Sequence, residues 1–161
     1  MRIKGVGGFS HALPIIDKHV YFKAGEPCKH LNTEESEKHI RWYVAQDQIG
    51  SVYADGAKGV KRAVENLGMS FEASEPGEPS SNNFAENNVG DYQRGRATTA
   101  HHCGLPSCFW SYAGPTHCIH SNNVKNKHGK IPYFARHGRK WEGKEVPFGA
   151  GVFFHTPENQ V

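Results

Sequence analysis

The stretch that decides the fold is IGSVYADGAKGVKRAVENLGMSFEAS, residues 49–74. The part from Ile49 to Ala54 has the β-branched and aromatic content of a short buried strand, ending in a glycine turn at Asp55 and Gly56. Val60, Ala63, Val64 and Leu67 then fall at i, i+3, i+4 and i+7, the apolar face of a helix. Gly68 is placed to end that helix in a left-handed cap. Met69, Phe71 and Ala73 alternate along one face of a second strand. Strand, helix, strand in this order predicts an α/β unit.

Upstream, GFSHALPII (8–16) reads as another strand, entered through a glycine-rich turn, and GEPCKHLN (25–32) reads as loop. Asn32 is a predicted N-cap with Glu35 three residues on, and Glu34 and Glu37 suit the positive end of the helix that follows. Ile40, Tyr43 and Val44 are its predicted buried face. Downstream, Pro76, Gly77 and Pro79 break regular structure, and a helix is expected from about Phe84. Glu86, Val89, Gly90, Gln93, Ala97 and Ala100 lie on or near one of its faces. Gly90 and Gly95 each cost about 1 kcal/mol relative to Ala in a helix interior, which fits a helix no longer under strong selection or one packed closely on another segment. Were 106–120 helical, Phe109, Trp110, Ala113 and His117 would form an apolar stripe with Cys108 and Cys118 in the core or at its edge. The whole order predicts one α/β domain with a mixed sheet.

Asp55 ends one strand and Glu86 begins one helix. Two carboxylates delivered by rigid elements are what a two-metal phosphoryl-transfer site requires, with divalent ions about 3.5–4 Å apart. Hard oxygen ligands suit Mg²⁺. Taken singly, each acid reads as a solvated surface group.

With 161 residues, 37% of them hydrophobic, the chain has enough apolar content for one core. No run approaches the roughly 18 apolar residues of a membrane span, and no leader pattern opens the chain. Four cysteines without a Cys-x-x-Cys pair suggest a reduced, intracellular protein. Charge is uneven: residues 1–90 carry 10 Lys/Arg against 12 Asp/Glu, whereas residues 91–145 carry 9 against 3. The basic half suits an acidic polymer such as DNA, although a solvated basic surface has the same composition. His101, His102, Cys103, Cys108, His117, Cys118 and His120 are zinc-ligand types, but their spacing matches no common zinc motif.

Several segments in order resemble the catalytic core of retrotransposon (copia-like) and retroviral integrases. They are VYADG (52–56), ENLGMSFEASEPGEPSSNNFAENNVG (65–90), LPSCFWSYAGPTHCIHSNNV (105–124) and IPYFARHGRKWEGKEVPFGAGVFF (131–154). The resemblance implies an RNase H-like mixed sheet flanked by helices. It also implies an acidic triad whose first Asp lies on a strand before a β-hairpin. GVGGFSHALPII (5–16) resembles the far side of that hairpin, so this alignment places Met1 downstream of the first Asp and the chain lacks the first strand. Asp17, falling after the hairpin, is a poor substitute. Gly56, Lys58 and Gly59 stand where the family shows Asn and an acid, and the 31 positions from Asp55 to Glu86 are slightly fewer than usual.

By this resemblance Asp55 and Glu86 are the catalytic and metal-binding residues, holding Mg²⁺ or Mn²⁺ weakly. Gln93, Arg94, Arg96, Lys125, Lys127, Arg139 and Lys140, together with Arg136, are expected to contact nucleic acid. The implied function is DNA integration by a partial or decayed transposable-element integrase core, residues 1–121, followed by a C-terminal extension, residues 122–161. DNA is the expected partner, with self-association, no membrane, and an intracellular, nuclear location. A catalytically inactive nucleic-acid-binding remnant and a zinc-stabilised interaction module are the alternatives.

Overall fold

The computed structural model describes residues 3–45, 47–73 and 79–152. Its first unit is an antiparallel hairpin of β1 (His11–Ile16) and β2 (Lys23–Cys28), with His11 opposite Cys28 and Ile16 opposite Lys23. Residues 25–32, read from sequence as loop, therefore supply most of a strand. Gly25 and Pro27 caused the misreading, since both are depleted in strands. Gly25 is there for a packing reason: a Cβ at that position would overlap the Tyr92 ring, whose hydroxyl donates to the Gly25 carbonyl at 3.2 Å. The side chain of Asp17 closes the hairpin turn, its Oδ1 accepting the amides of His19 (2.6 Å) and Val20 (2.9 Å). Asp17 thus lies inside the hairpin and not after it.

Helix α1 (Thr33–Val44) starts as the sequence predicts, with Asn32 Oδ1 accepting the Glu35 amide at 2.9 Å. It buries Ile40, Tyr43 and Val44, as expected, and also Ser36 and His39. Next come β3 (Ser51–Ala54), α2 (Lys58–Asn66) and β4 (Ser70–Ala73). The two strands pair in parallel, Ser51 with Ser70 and Ala54 with Ala73. Ala63 and Val64 are fully buried, and Gly68 (φ 72°) takes the left-handed cap. The core consists of Ala24, Ile40, Tyr43, Val44, Ala63 and Val64, with Leu13, Ile15, Phe22, Val52, Val60, Leu67, Met69 and Phe71 packed around it. β3 itself is less buried than predicted, because Ser51 and Tyr53 face solvent.

Helix α3 (Pro79–Cys103) is longer than expected and begins at Pro79, not near Phe84. Proline suits the first helical position, where its missing N–H would have no partner in any case. Gly95 is explained by packing: a Cβ there would overlap the His117 ring of α4 (Trp110–Asn123). The expected division after residue 121 falls within the last turn of α4. Asn122, near the end of α4, accepts the Lys23 amide and donates to the Lys23 carbonyl, both at 2.8 Å, tying the helix to β2. Helix α5 (Pro132–His137) ends at Gly138, which has φ 68°.

The β-structure is a small mixed sheet flanked by helices, divided into an antiparallel and a parallel pair. Among the described residues no ladder joins the pairs. α1 packs on the hairpin and on α2, α2 packs on β3 and β4, and α3 touches both β1 and β3.

Candidate acidic site and nucleic-acid interface

Asp55 directly follows β3 and is exposed, so the strand delivers it to the surface at its C-terminal end. The Asp55 carbonyl accepts the Ala57 amide at 2.6 Å, a tight bend that leads into α2. Glu86 is exposed on α3, the helix that packs against β3. The two carboxylates therefore sit on or next to elements that touch each other. Lys18 lies over the Phe84 ring, 6.0 Å from its centroid, which brings the hairpin turn to the same end of α3. Asp17, in that turn, has Oδ1 committed to two backbone amides and serves the turn.

Among the described residues no three His, Cys, Asp or Glu side chains gather to hold a metal ion. Mg²⁺ or Mn²⁺ on Asp55 and Glu86 would draw its remaining oxygen ligands from water or phosphate, which is a weak hold. No catalytic step through a metal is derived for this chain. The His/Cys group of residues 101–120 is likewise dispersed. Cys118 is buried on α4 and its thiol is pushed up to about 12, mainly by burial. Cys28 is pushed up to about 11, again mainly by burial. Buried thiols held protonated at neutral pH are poor nucleophiles.

The predicted DNA-contact residues divide into two groups. Gln93 and Arg94 are exposed on α3, Lys125 and Lys127 are exposed after α4, and Arg139 and Lys140 are exposed after α5. Arg96 is partly covered and lies over Trp110, 5.0 Å from the ring centroid. Arg136 is committed to the fold, donating to the Tyr43 carbonyl at 2.5 Å and to Asp47 Oδ2 at 2.6 Å.

One polar cluster escaped the sequence reading. Lys23 of β2 pairs with Asp91 of α3 at 2.5 Å, and His117 Nε2 of α4 lies 3.5 Å from the same carboxylate oxygen. Ser121 Oγ lies 3.4 Å from that same ring nitrogen. A nucleophilic relay needs the acid on one imidazole nitrogen and the hydroxyl on the other, so this Ser, His and Asp do not form one. Burial would raise Asp91, but the Lys23 hydrogen bond and charge, helped by His117, hold it below the ordinary carboxylate range. Burial lowers His117, with Asp91 opposing. The partners are 68 and 26 positions from Asp91, and no local pattern announces them.

No family model matches the chain, and no curated protein sequence matches it. Solved structures do. The catalytic core domain of BIV integrase superposes with a TM-score of 0.55 at 13% identity, covering 76% of this chain and 82% of that one. The catalytic core domain of HTLV-2 integrase, in complex with magnesium in a trimeric form, gives 0.61 at 11% identity over 78% and 84%. The fold is that of an integrase catalytic core. A chain of the simian T-cell lymphotropic virus intasome, in complex with the PP2A regulatory subunit B56 gamma, gives 0.62 at 14% identity. That match covers 89% of this chain and about half of the other, 53%. These superpositions establish the RNase H-like α/β architecture that the resemblance implied. The described parts of the segments that carried the resemblance include most of β3, the end of α2, β4, the first half of α3, α4 and α5, while residues 74–78 and 153–154 lie outside the described residues.

Proposed function

We propose that this chain is a DNA-binding, integrase-type core of transposable-element origin that acts in DNA integration and lacks strand-transfer activity on its own. The observation that carries the reading is the position of Asp55 at the end of β3, against the helix that bears Glu86, within an integrase-core fold. Two features favour a non-catalytic role. The acidic set is incomplete among the described residues. Among the described residues no ladder joins the two strand pairs either. The exposed Gln93, Arg94, Lys125, Lys127, Arg139 and Lys140 supply the phosphate contacts in this reading. Integrase structures in trimeric and intasome forms support self-association in this reading, and with DNA integration as the role we propose an intracellular, nuclear location.

The test pairs fluorescence anisotropy on labelled duplex DNA with a strand-transfer assay in Mn²⁺. Binding is expected to weaken steeply with salt and to show little sequence preference, with no strand-transfer product. Asp55→Asn and Glu86→Gln are expected to leave DNA affinity within about twofold, because neither residue is a phosphate contact. Strand transfer that disappears in Glu86→Gln would overturn the non-catalytic reading, and an absence of DNA binding would overturn the whole proposal.

A further inference from the structure

From Tyr92 to Trp141 the chain contains no Asp or Glu, while it carries eight Lys and Arg. Neither the acidic site nor the phosphate contacts explain why aromatic rings crowd the end of this stretch. Tyr133 of α5 lies tilted against His137 with ring centroids 4.5 Å apart, and it meets Trp141 edge-on at 5.2 Å and 84°. Gly138, at φ 68°, turns the chain so that Trp141 folds back onto Tyr133. The indole then rests against Gly143, where a Cβ would overlap it. Even so, Trp141 remains 43% exposed. Arg139 and Lys140 precede it and Lys144 follows, with Glu142 and Glu145 interspersed, all exposed, and among the described residues none of the three cations is in an ion pair.

The base beneath this group is rigid. Arg136 anchors α5 to α1 through the Tyr43 carbonyl, and His137 packs edge-on against Phe22 at 5.4 Å. An exposed indole held in place beside free cations offers two things at once: a π-face for stacking and charge for a phosphate. That pairing suits unpaired nucleotides, because the bases of a duplex are already stacked and present only their edges. An apolar protein partner would account for the rings but not for the cationic excess of residues 92–145, nine Lys and Arg against two Glu.

We propose that Tyr133, His137 and Trp141, flanked by Arg139, Lys140 and Lys144, form a stacking platform for single-stranded nucleic acid. The platform rests on the reading of this chain as a DNA-binding protein and names the form of nucleic acid that its C-terminal basic segment takes. Trp141 is the ring on which a base stacks. Tyr133 and His137 position it, and the cations follow the phosphates on either side.

The experiment measures binding of the full chain to an oligo-dT single strand and to a duplex of equal length across a salt series. Trp141→Ala is expected to weaken single-strand binding about tenfold at every salt concentration, the effect of losing one base–aromatic stack. The slope of log affinity against log salt should not change, and Trp141→Phe should restore most of the loss. Arg139→Ala with Lys140→Ala should instead reduce that slope, by about 0.7 per charge on a single strand. Duplex affinity should be unaffected by Trp141→Ala, and circular dichroism should show both Trp141 variants folded. The platform is refuted if Trp141→Ala leaves oligo-dT affinity unchanged, or weakens duplex and single strand equally. Displacement of oligo-dT by polyglutamate in proportion to charge alone would also refute it. In those cases duplex binding survives and with it the wider function, whereas loss of all nucleic-acid binding would remove both.

Discussion

Replacing Arg136 tests how the C-terminal segment is held to the core. Its side chain is only 11% exposed although its helix neighbours Phe134, Ala135 and His137 are exposed. The guanidinium lies 4.7 Å from the Phe22 ring centroid and 4.6 Å from that of Tyr43, while donating to the Tyr43 carbonyl and to Asp47. A hydrogen bond from a charged donor is worth about 1.5–3 kcal/mol. The two ring contacts add about 0.5–1 kcal/mol each. Asp47 is 54% exposed, so that pair contributes at most about 1 kcal/mol. Truncation also relieves the desolvation of the guanidinium, which offsets part of the loss. Arg136→Ala is therefore expected to destabilise the protein by roughly 2–3 kcal/mol, which for a chain of this size lowers Tm by about 5–10 °C. Arg136→Lys should recover little, because an ammonium cannot lie flat between the rings and reach both oxygens. Asp47→Asn alone should cost less than about 1 kcal/mol. Chemical and thermal denaturation followed by circular dichroism give these values. A change below about 0.5 kcal/mol for Arg136→Ala would show that the segment is not held this way. A normal Tm with weakened DNA binding would return Arg136 to the role the sequence suggested.

The Lys23, Asp91 and His117 cluster predicts loss of stability in acid. Because burial lowers His117 in the fold, its contribution is complete above the ordinary imidazole value of about 6.5 and is lost as pH falls through that region. Asp91 is lowered too, so its contribution is present above about 3.9 and is lost as pH falls further, through its folded value. His117→Asn should flatten the Tm profile between about pH 7 and 5.5, and Asp91→Asn should flatten only the part below about pH 4.5; a wild-type Tm that rises on acidification would contradict both assignments. Asn122→Ala should cost about 1–2 kcal/mol, since it removes two hydrogen bonds to the half-buried Lys23 amide and carbonyl. A cost below 0.5 kcal/mol in urea titrations would mean that water replaces the side chain at about the value of a direct bond.

What the sequence determined alone was local. Asn32 caps α1 because its oxygen reaches an amide three residues away, Val60 to Leu67 share a face because a helix repeats every 3.6 residues, and Gly68 ends α2 because it tolerates positive φ. Asp55 at a strand end and Glu86 on the following long helix were legible for the same reason. β2 was not, because Gly25 and Pro27 have loop chemistry, and their place in a strand depends on Tyr92, 67 positions away. Gly95 became intelligible only once the His117 ring lay against it. The paired roles of Lys23, Asp91 and His117 were likewise decided by the packing of β2, α3 and α4. Arg136 is the clearest case. Its position within a basic segment suggests DNA, yet Phe22, Tyr43 and Asp47 converge on it from elsewhere in the chain, and only the tertiary structure makes a buried anchor of a residue whose charge alone would place it in water.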